Sequence, residues 1–200
     1  MVGDAGICLE NDAAWLVEQA ERGSIKERNM RAEQETATAG DGVGAHGGKF
    51  LTFKLGAEEY GLEILKVAEI IGMLPITWVP RTPEFIRGVV NLRGKVIPIM
   101  DLRMKFGMET IETTDHTCII VVQVKGIRIG VVVDEVSEVM DIADADIEDA
   151  PSFGAEVDTE YLLGIAKANG RVELLLDIEQ VISAQDLAAL RTAESSAVAG

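Results

Sequence analysis

The sequence predicts a mainly β protein made of two modules of the same plan packed on one another. From Lys49 onward the chain consists of short β-branched runs punctuated by glycine, which is typical of a barrel or a sandwich. Motifs from the first half of this region return in the second half. Of the 200 residues, 48% are apolar, the ordinary figure for a globular core.

Ten short strands are expected in this region, with few helices between them. The predicted strands are Phe50–Leu55, Glu59–Leu62, Val67–Ile71, Gly88–Asn91, Val96–Asp101, Cys118–Val124, Ile127–Val133, Ser137–Asp141, Leu163–Ala168 and Arg171–Asp177. A turn is expected after Pro83 and a short helical stretch near 102–106. Ser183 opens a terminal helix, because Asp186 stands three residues later at the spacing of a capping box.

Residues 1–48 are predicted to be an N-terminal extension rather than a domain, since they carry nine acidic residues, four basic residues and eight glycines. A helix is plausible over 11–34, and Trp15 and Leu16 are its best anchors for a partner. The glycine-rich stretch 40–48 is typical of a flexible linker. The folded domain is expected over 49–190, followed by a tail over 191–200.

The repeat consists of two aligned pairs of segments. Residues 60–71 align with 129–140 at an offset of 69, and residues 88–102 align with 164–178 at an offset of 76. The matched positions are Gly61, Val67, Glu69, Gly88, Gly94, Val96 and Asp101 with Gly130, Val136, Glu138, Gly164, Gly170, Val172 and Asp177. Two similar lobes predict a groove between them, and such junctions are frequent binding sites.

Charge and composition exclude several classes of partner. The net charge of −16 disfavours direct binding to nucleic acid or to anionic lipid. Two distant cysteines indicate a reducing compartment, and neither a signal peptide nor a transmembrane stretch is indicated, which predicts a cytoplasmic protein. Residues 78–105 hold six basic side chains, whereas 134–160 hold eleven acidic ones and no base. The acidic stretch is either a solvated face or a docking surface.

No catalytic, cofactor or metal site is predicted. Gly42, Gly44 and Gly47 fit G-x-G-x-x-G, but they follow a polar segment and precede a strand, unlike a dinucleotide fingerprint. His46 and His116 lack a nucleophile nearby, and His116 is interpreted as a surface turn residue. Cys118 is expected to be a buried hydrophobe, and Asp101 and Asp177 to bond turn or helix-start amides.

Four segments together resemble the CheW family of bacterial chemotaxis coupling proteins. They are FLTFKLGAEEYGLEILKVAEIIG (50–72), TPEFIRGVVNLRGKVIPIMDLRMKFG (82–107), IGVVVDEVSEVMDI (129–142) and TEYLLGIAKANGRVELLLDIEQVI (159–182). The resemblance covers about Lys49 to Leu190, and its most specific part is NLRGKVIPIMDLR. It implies two five-stranded, SH3-like β-barrels around a shared core and no enzymatic activity.

The resemblance also implies partners and a binding site. A CheA-type histidine kinase would meet the ends of the barrels through its regulatory domain, and the helical hairpin tip of a chemoreceptor would lie in the groove between them. The matching receptor-binding positions are Val67, Glu69, Ile70, Gly88 and Arg93. The protein would then act in the cytoplasm at receptor arrays, without cofactor, nucleic acid or membrane insertion.

Two other functions stay open at this point. A coupling-like domain could compete with a kinase or act as the partner of a phosphorylation sink, although fused modules of that sort normally bring a receiver domain. An enzyme or small-molecule sensor could use the cleft between the lobes, which would require converging polar groups there.

Overall fold

The computed structural model describes residues 47–149, 161–168 and 171–198. The expected helix over 11–34 and nearly all of the glycine-rich linker lie outside these residues. Gly48, predicted as the last linker residue, is instead the first residue of a strand.

The described residues form eleven strands, and the ten predicted ones are confirmed with ends that differ by at most two residues. They are β1 (Gly48–Leu55), β2 (Glu58–Glu63), β3 (Val67–Gly72), β4 (Ile86–Leu92), β5 (Lys95–Asp101), β6 (Cys118–Val124), β7 (Ile127–Val133), β8 (Glu135–Ile142), β9 (Ile147–Glu148), β10 (Leu162–Ala168) and β11 (Arg171–Leu176). The unpredicted strand, β9, has two residues and is too short to show an alternation of polar and apolar side chains.

Within the described ranges, three α-helices accompany the strands: α1 (Leu102–Lys105), α2 (Ile178–Val181) and α3 (Ala184–Val198). The capping box of α3 is confirmed, because the Asp186 amide donates to Ser183 Oγ at 3.1 Å and the Ser183 amide donates to Asp186 Oδ2 at 2.9 Å. The predicted roles of Asp101 and Asp177 are confirmed too, since their carboxylates accept amide hydrogen bonds at the starts of α1 and α2.

Helix α3 continues to Val198 and so includes most of the segment expected to be a tail. Ala193 explains this length, because its side chain is fully buried against Val79 and Val89. None of the helices in the described ranges has the length and apolar character that crossing a membrane requires.

The strands form two mixed sheets, which confirms the predicted pair of similar β subdomains. Strand order is β8-β1-β2-β11-β10-β9 in the six-stranded sheet and β3-β6-β7-β5-β4 in the five-stranded sheet. Each sheet has one parallel pairing, between β2 and β11 in the first and between β5 and β7 in the second. Within the described ranges, hydrogen bonding closes neither sheet completely, so β8 and β9 are the edges of one and β3 and β4 of the other.

The two sheets do not coincide with the two copies of the sequence repeat. The five-stranded sheet uses the continuous stretch 67–133, and the six-stranded sheet uses the flanks 48–63 and 135–176. The first two strands of the second copy therefore pair with the last three strands of the first. The prediction of two modules, one formed by each copy, is corrected accordingly. Because equivalent strands of the two copies have similar sequences, the repeat does not show which copy contributes each strand of a sheet.

Packing follows from this arrangement, because each sheet uses both of its faces. One face of each contributes to a large shared core that includes Phe53, Leu62, Ile120 and Val131, all with no exposed surface. On their other faces the sheets enclose separate clusters, with Val90, Ile97, Ile99, Ile119, Val121 and Val132 in the five-stranded sheet and Phe50, Ile142, Ala166 and Leu175 in the six-stranded one.

The matched glycines Gly61 and Gly130 have a packing role. Gly61 lies opposite Leu175 across one parallel pairing, and Gly130 lies opposite Ile99 across the other. A Cβ atom would come within 2.8 Å of Leu175 Cδ2 at Gly61 and within 2.4 Å of Ile99 Cδ1 at Gly130. Each glycine thus admits a large side chain from the neighbouring strand.

Candidate functional site

The five predicted site residues lie along the two edge strands of the five-stranded sheet. Val67, Glu69 and Ile70 belong to β3, Gly88 belongs to β4, and Arg93 lies in the turn between β4 and β5. Although β3 and β4 are separated by three strands in the sheet order, the sheet curves enough to bring side chains from its two ends together.

An ion pair joins the two edges. Arg93 Nη2 lies 3.3 Å from Glu69 Oε2, with the Arg93 side chain 80% exposed and that of Glu69 22% exposed. The tight turn aims Arg93 at this place: Arg93 and Gly94 have φ of 52° and 83°, and the Gly94 amide donates to Asn91 Oδ1 at 2.9 Å. Because so exposed a pair adds about 0–1 kcal/mol to stability, the guanidinium remains available to a partner.

Gly88 allows the connection between β3 and β4 to cross close to β4. Its φ is 134°, and a Cβ atom there would lie 2.1 Å from the carbonyl oxygen of Thr77. Next to it, Thr77 and Val89 exchange two backbone hydrogen bonds of 2.8 and 2.9 Å. Gly88 is therefore a backbone requirement of this edge, since only glycine adopts that conformation without strain.

Val67 and Ile70 are buried, with 9% of each exposed, and both belong to the shared core. Sequence reasoning expected them to supply apolar surface to a partner. In the structure they offer little surface and instead attach β3 to the core. Their part in receptor binding stays a prediction.

Two exposed apolar side chains near this edge were not singled out from the sequence. Trp78 is 69% exposed and follows Thr77, and Leu65 is 79% exposed in the short 3-10 turn before β3. The sequence does indicate that Trp78 lies outside a regular strand, because Pro80 follows it by two residues. Exposed tryptophans are enriched among residues that dominate binding energy.

Most of the basic residues of 78–105 are held in ion pairs within the chain. Arg87 pairs with Asp101 at 2.9 Å, and Arg103 binds Asp134 through two hydrogen bonds of 2.7 and 2.8 Å. Burial alone would raise the pKa of Asp134, but the hydrogen bonds from Arg103 and the Gly56 amide hold it below its usual value. These pairs hold the start of β4 and helix α1 to their neighbours, whereas Arg93 projects from the turn at the other end of the β4–β5 hairpin.

The described residues around this edge suit binding better than chemistry. His116 is exposed in a turn, as expected. Cys118 is mostly buried, as expected, and burial raises the pKa of its thiol to about 11, which disfavours a reactive thiolate. In the part of the chain that the structure describes, no group of three His, Cys, Asp or Glu side chains is placed to hold a metal ion.

Comparison with known proteins identifies relatives over most of the folded region, including all strands from β2 to β11. The family model of the CheW-like domain matches residues 49–186. A chemotaxis protein CheW from Klebsiella aerogenes is 43% identical over 150 residues, which cover 75% of this chain and 89% of that protein. A chemotaxis protein CheW from Rhizobium meliloti is 34% identical over 140 residues, covering 70% of this chain and 90% of that protein.

A solved structure agrees with the observed fold. The crystal structure of the scaffolding protein TtCheW from Thermoanaerobacter tengcongensis superposes with a TM-score of 0.64 and 36% sequence identity. The match covers 70% of this chain and 95% of that one. The likeness therefore includes sequence and architecture together.

Proposed function

The chain belongs to the CheW-like domain family, and we propose that it acts as a non-catalytic adaptor in chemotaxis signal transduction. The adaptor joins the cytoplasmic tips of chemoreceptors to the regulatory domain of a CheA-type histidine kinase, and it works in the cytoplasm at receptor arrays. The observation that carries this proposal is the family match over 49–186, which includes strands from both sheets.

The receptor contact is proposed at the joined edges of the five-stranded sheet. A helical hairpin laid along these edges would meet the Glu69–Arg93 pair, whose charges fix the register of the helices. Trp78 would add exposed aromatic area farther along β4, where Thr77 pairs with Val89, while Val67 and Ile70 hold β3 in position from the core.

Signalling through such an adaptor needs no bond to form or break in the adaptor itself. A rigid body that holds receptor and kinase together transmits a rearrangement of one to the other. Weak single contacts suffice, because repeated contacts in an array raise the effective concentration of each partner. The kinase is expected to bind at the ends of the barrels, away from the receptor edge.

Calorimetry of the full chain with the kinase regulatory domain, and with a receptor hairpin fragment, tests the proposal. Saturable binding of both partners is expected, and Arg93→Glu should abolish binding to at least one of them while the circular dichroism spectrum stays unchanged. Arg128→Glu is the matched control, because Arg128 is an exposed arginine on β7 of the same sheet and makes the same change of charge.

A charge exchange separates direct contact from support of the fold. Glu69→Arg combined with Arg93→Glu restores an ion pair across the edge with its polarity reversed. If binding stays lost, the two charges contact the partner directly; wild-type affinity in the exchanged protein would mean that the pair only holds the edge together. Wild-type binding of Arg93→Glu to both partners would remove Arg93 from the site.

A further inference from the structure

The six-stranded sheet encloses a polar cavity that lies away from the proposed receptor edge of the other sheet. The cavity measures about 120 Å³ and is lined by residues of β1, β2, β8 and β11, namely Thr52, Glu59, Ser137, Glu138, Met140, Arg171 and Glu173. This volume is several times the roughly 30 Å³ that one water occupies in the liquid. The space is therefore large enough for a small polar group.

Glu173 is a buried acid inside this cavity without a partner for one of its oxygens. Only 3% of the residue is exposed, and its Oε2 atom and the hydroxyl of Ser137 are buried without a hydrogen bond to any described residue. Burial, together with the nearby carboxylates of Glu59 and Glu138, raises the pKa of Glu173. Buried polar groups in proteins are normally satisfied, so two unsatisfied ones in one cavity require an explanation.

The lining carries more negative than positive charge. Among the lining residues that the structure describes, Glu59, Glu138 and Glu173 face a single basic side chain, Arg171, which is 65% exposed and pairs with Glu59 at 2.9 Å. The depression that adjoins the cavity along β8 shares Glu138 and Met140 with it and adds two aspartates and one lysine, Asp141, Asp146 and Lys167. The potential at the mouth therefore favours a cation.

In the five-stranded sheet, the acid at the matched position is paired with a basic side chain. Glu138 corresponds to Glu69 in the repeat, and Glu69 is paired with the guanidinium of Arg93. The position matched to Arg93 is 169, where the sequence has asparagine. Among the residues that the structure describes, no basic side chain pairs with Glu138. The six-stranded sheet thus keeps the acid of this pair, while the sequence has no basic residue at the position matched to Arg93.

We propose that this cavity binds a guanidinium or ammonium group supplied by a ligand, which pairs with Glu138 and Glu173 and donates a hydrogen bond to Ser137 Oγ. A planar guanidinium suits the site, since its several donors can reach the Glu173 and Ser137 oxygens at once. An organic cation fits better than a metal ion, because the described residues contain no set of three metal-ligating side chains.

The experiment is a titration of the full chain with methylguanidinium and, separately, with N-acetyl-arginine methylamide, followed by NMR at the amides of Thr52 and Ser137. We expect saturable shifts at millimolar concentration, as suits a ligand of few atoms. Binding should weaken at least about tenfold in Glu173→Ile, which installs the residue type of the other sheet. Glu58→Gln is the matched control, because Glu58 is an exposed acid on the opposite face of β2, and it should bind as the wild type does.

The two probes distinguish the source of the cation. Equal affinity for both assigns the cavity to free small cations, and at least about tenfold tighter binding of the arginine amide assigns it to a basic side chain of a polypeptide. Absence of saturable shifts with both probes, or equal binding by Glu173→Ile and the wild type, would overturn the proposal. Arg93→Glu should bind the probes normally, so a failure here is distinct from a failure of receptor or kinase coupling.

Discussion

Apart from β9, the strands of the two sheets follow the same order when those matched by the repeat are compared, with β1 in the place of β6, but the sheets differ in what they enclose. Where the five-stranded sheet has Ile97 and Val121, the six-stranded sheet has Glu173 and Thr52 at the matched positions. Both sheets bury their opposite faces in the same core, which is built mainly from aliphatic and aromatic side chains. The difference teaches that the shared core sustains the fold, so that the enclosed face of one sheet is able to carry polar groups.

The edges of the sheets differ in the same direction. Glu69 of the five-stranded sheet is bound by Arg93, whereas its counterpart Glu138 is exposed and lies at the mouth of the polar cavity. The five-stranded sheet thus pairs Glu69 with a base of the same chain and encloses apolar side chains. The other sheet presents acids that a ligand can reach.

Exchanging the enclosed residues gives the largest expected effect. Ile97→Glu buries a charge among aliphatic side chains and should lower the free energy of unfolding by about 3 to 5 kcal/mol. Glu173→Ile should raise it by about 1 kcal/mol, because it removes a buried carboxylate oxygen without a partner. Urea unfolding followed by circular dichroism measures both. Equal losses of unfolding free energy in the two variants would contradict the proposed difference between the sheets, since Glu173 would then stabilise the six-stranded sheet.

The matched glycines should respond unequally. Gly130→Ala places a Cβ atom 2.4 Å from Ile99 and 2.7 Å from Ile119, whereas Gly61→Ala meets one side-chain end at 2.8 Å. We expect a loss of about 1 to 3 kcal/mol at Gly130, at the high end of overpacking, and a smaller loss at Gly61. Thermal unfolding of the two variants provides the measurement. A greater loss at Gly61 would show that the six-stranded sheet is the more tightly packed one.

The dependence of stability on pH should differ between wild type and Glu173→Gln. The pKa of Glu173 is raised above 4.5 in the folded protein, so the native state holds its proton more tightly than the unfolded chain does. The associated stability is fully present below the usual glutamate pKa and is lost as the pH rises through the folded value. Glu173→Gln, which mimics the protonated acid, should remove this loss. Urea midpoints at a series of pH values test it, and parallel curves for the two proteins would contradict the expectation.

For acids with a lowered pKa, stability changes with pH in the opposite direction, so they do not obscure this test. For Asp186, burial opposes the shift, but hydrogen bonds from Lys105 and Ser183 hold its pKa below 3.8. The stability it contributes is present above its unfolded pKa and is lost as the pH falls through the folded one. Its effect is therefore confined to the acid side of the range in which Glu173 acts.

The smallest effect is expected at the edge pair. Removing the exposed Arg93–Glu69 pair by Arg93→Ala should change the free energy of unfolding by less than about 1 kcal/mol. The same measurement on Arg87→Ala should give a larger loss, because Arg87 pairs with the buried carboxylate of Asp101. A large loss of unfolding free energy in Arg93→Ala would mean that the ion pair holds this edge together. The charges at the edge of the five-stranded sheet would then serve stability rather than binding.

Local patterns were sufficient to predict the strands and the caps. Short β-branched runs punctuated by glycine predicted every strand except β9, and the spacing of Ser183 and Asp186 predicted their reciprocal hydrogen bonds. Helix α2 was missed, although α1 lies at the same repeat offset of 76. The pairing of strands from different copies could not be derived, because equivalent strands present the same pattern to either neighbour.

The candidate sites show the same limit. The resemblance named Glu69 and Arg93 as separate positions of one site, but their contact with each other depends on the curvature of a whole sheet. Glu173 was visible in the aligned repeat as an acid matched to Ile97, yet an acid in a strand usually faces solvent. Only the structure shows that it lies on the enclosed face.

The nested order of the sheets has a consequence for synthesis on the ribosome. Once residue 133 has been made, the five-stranded sheet has all its strands, whereas β1 and β2 still lack β8 and β11 on their two sides. The strand partners of β1 are therefore synthesised about eighty residues or more after it. The pairings of Phe50, Leu51 and Phe53 with Met140, Val139 and Val136, respectively, show this separation. The nascent hairpin is the segment most exposed to aggregation, and a chaperone that holds hydrophobic strands would act there first.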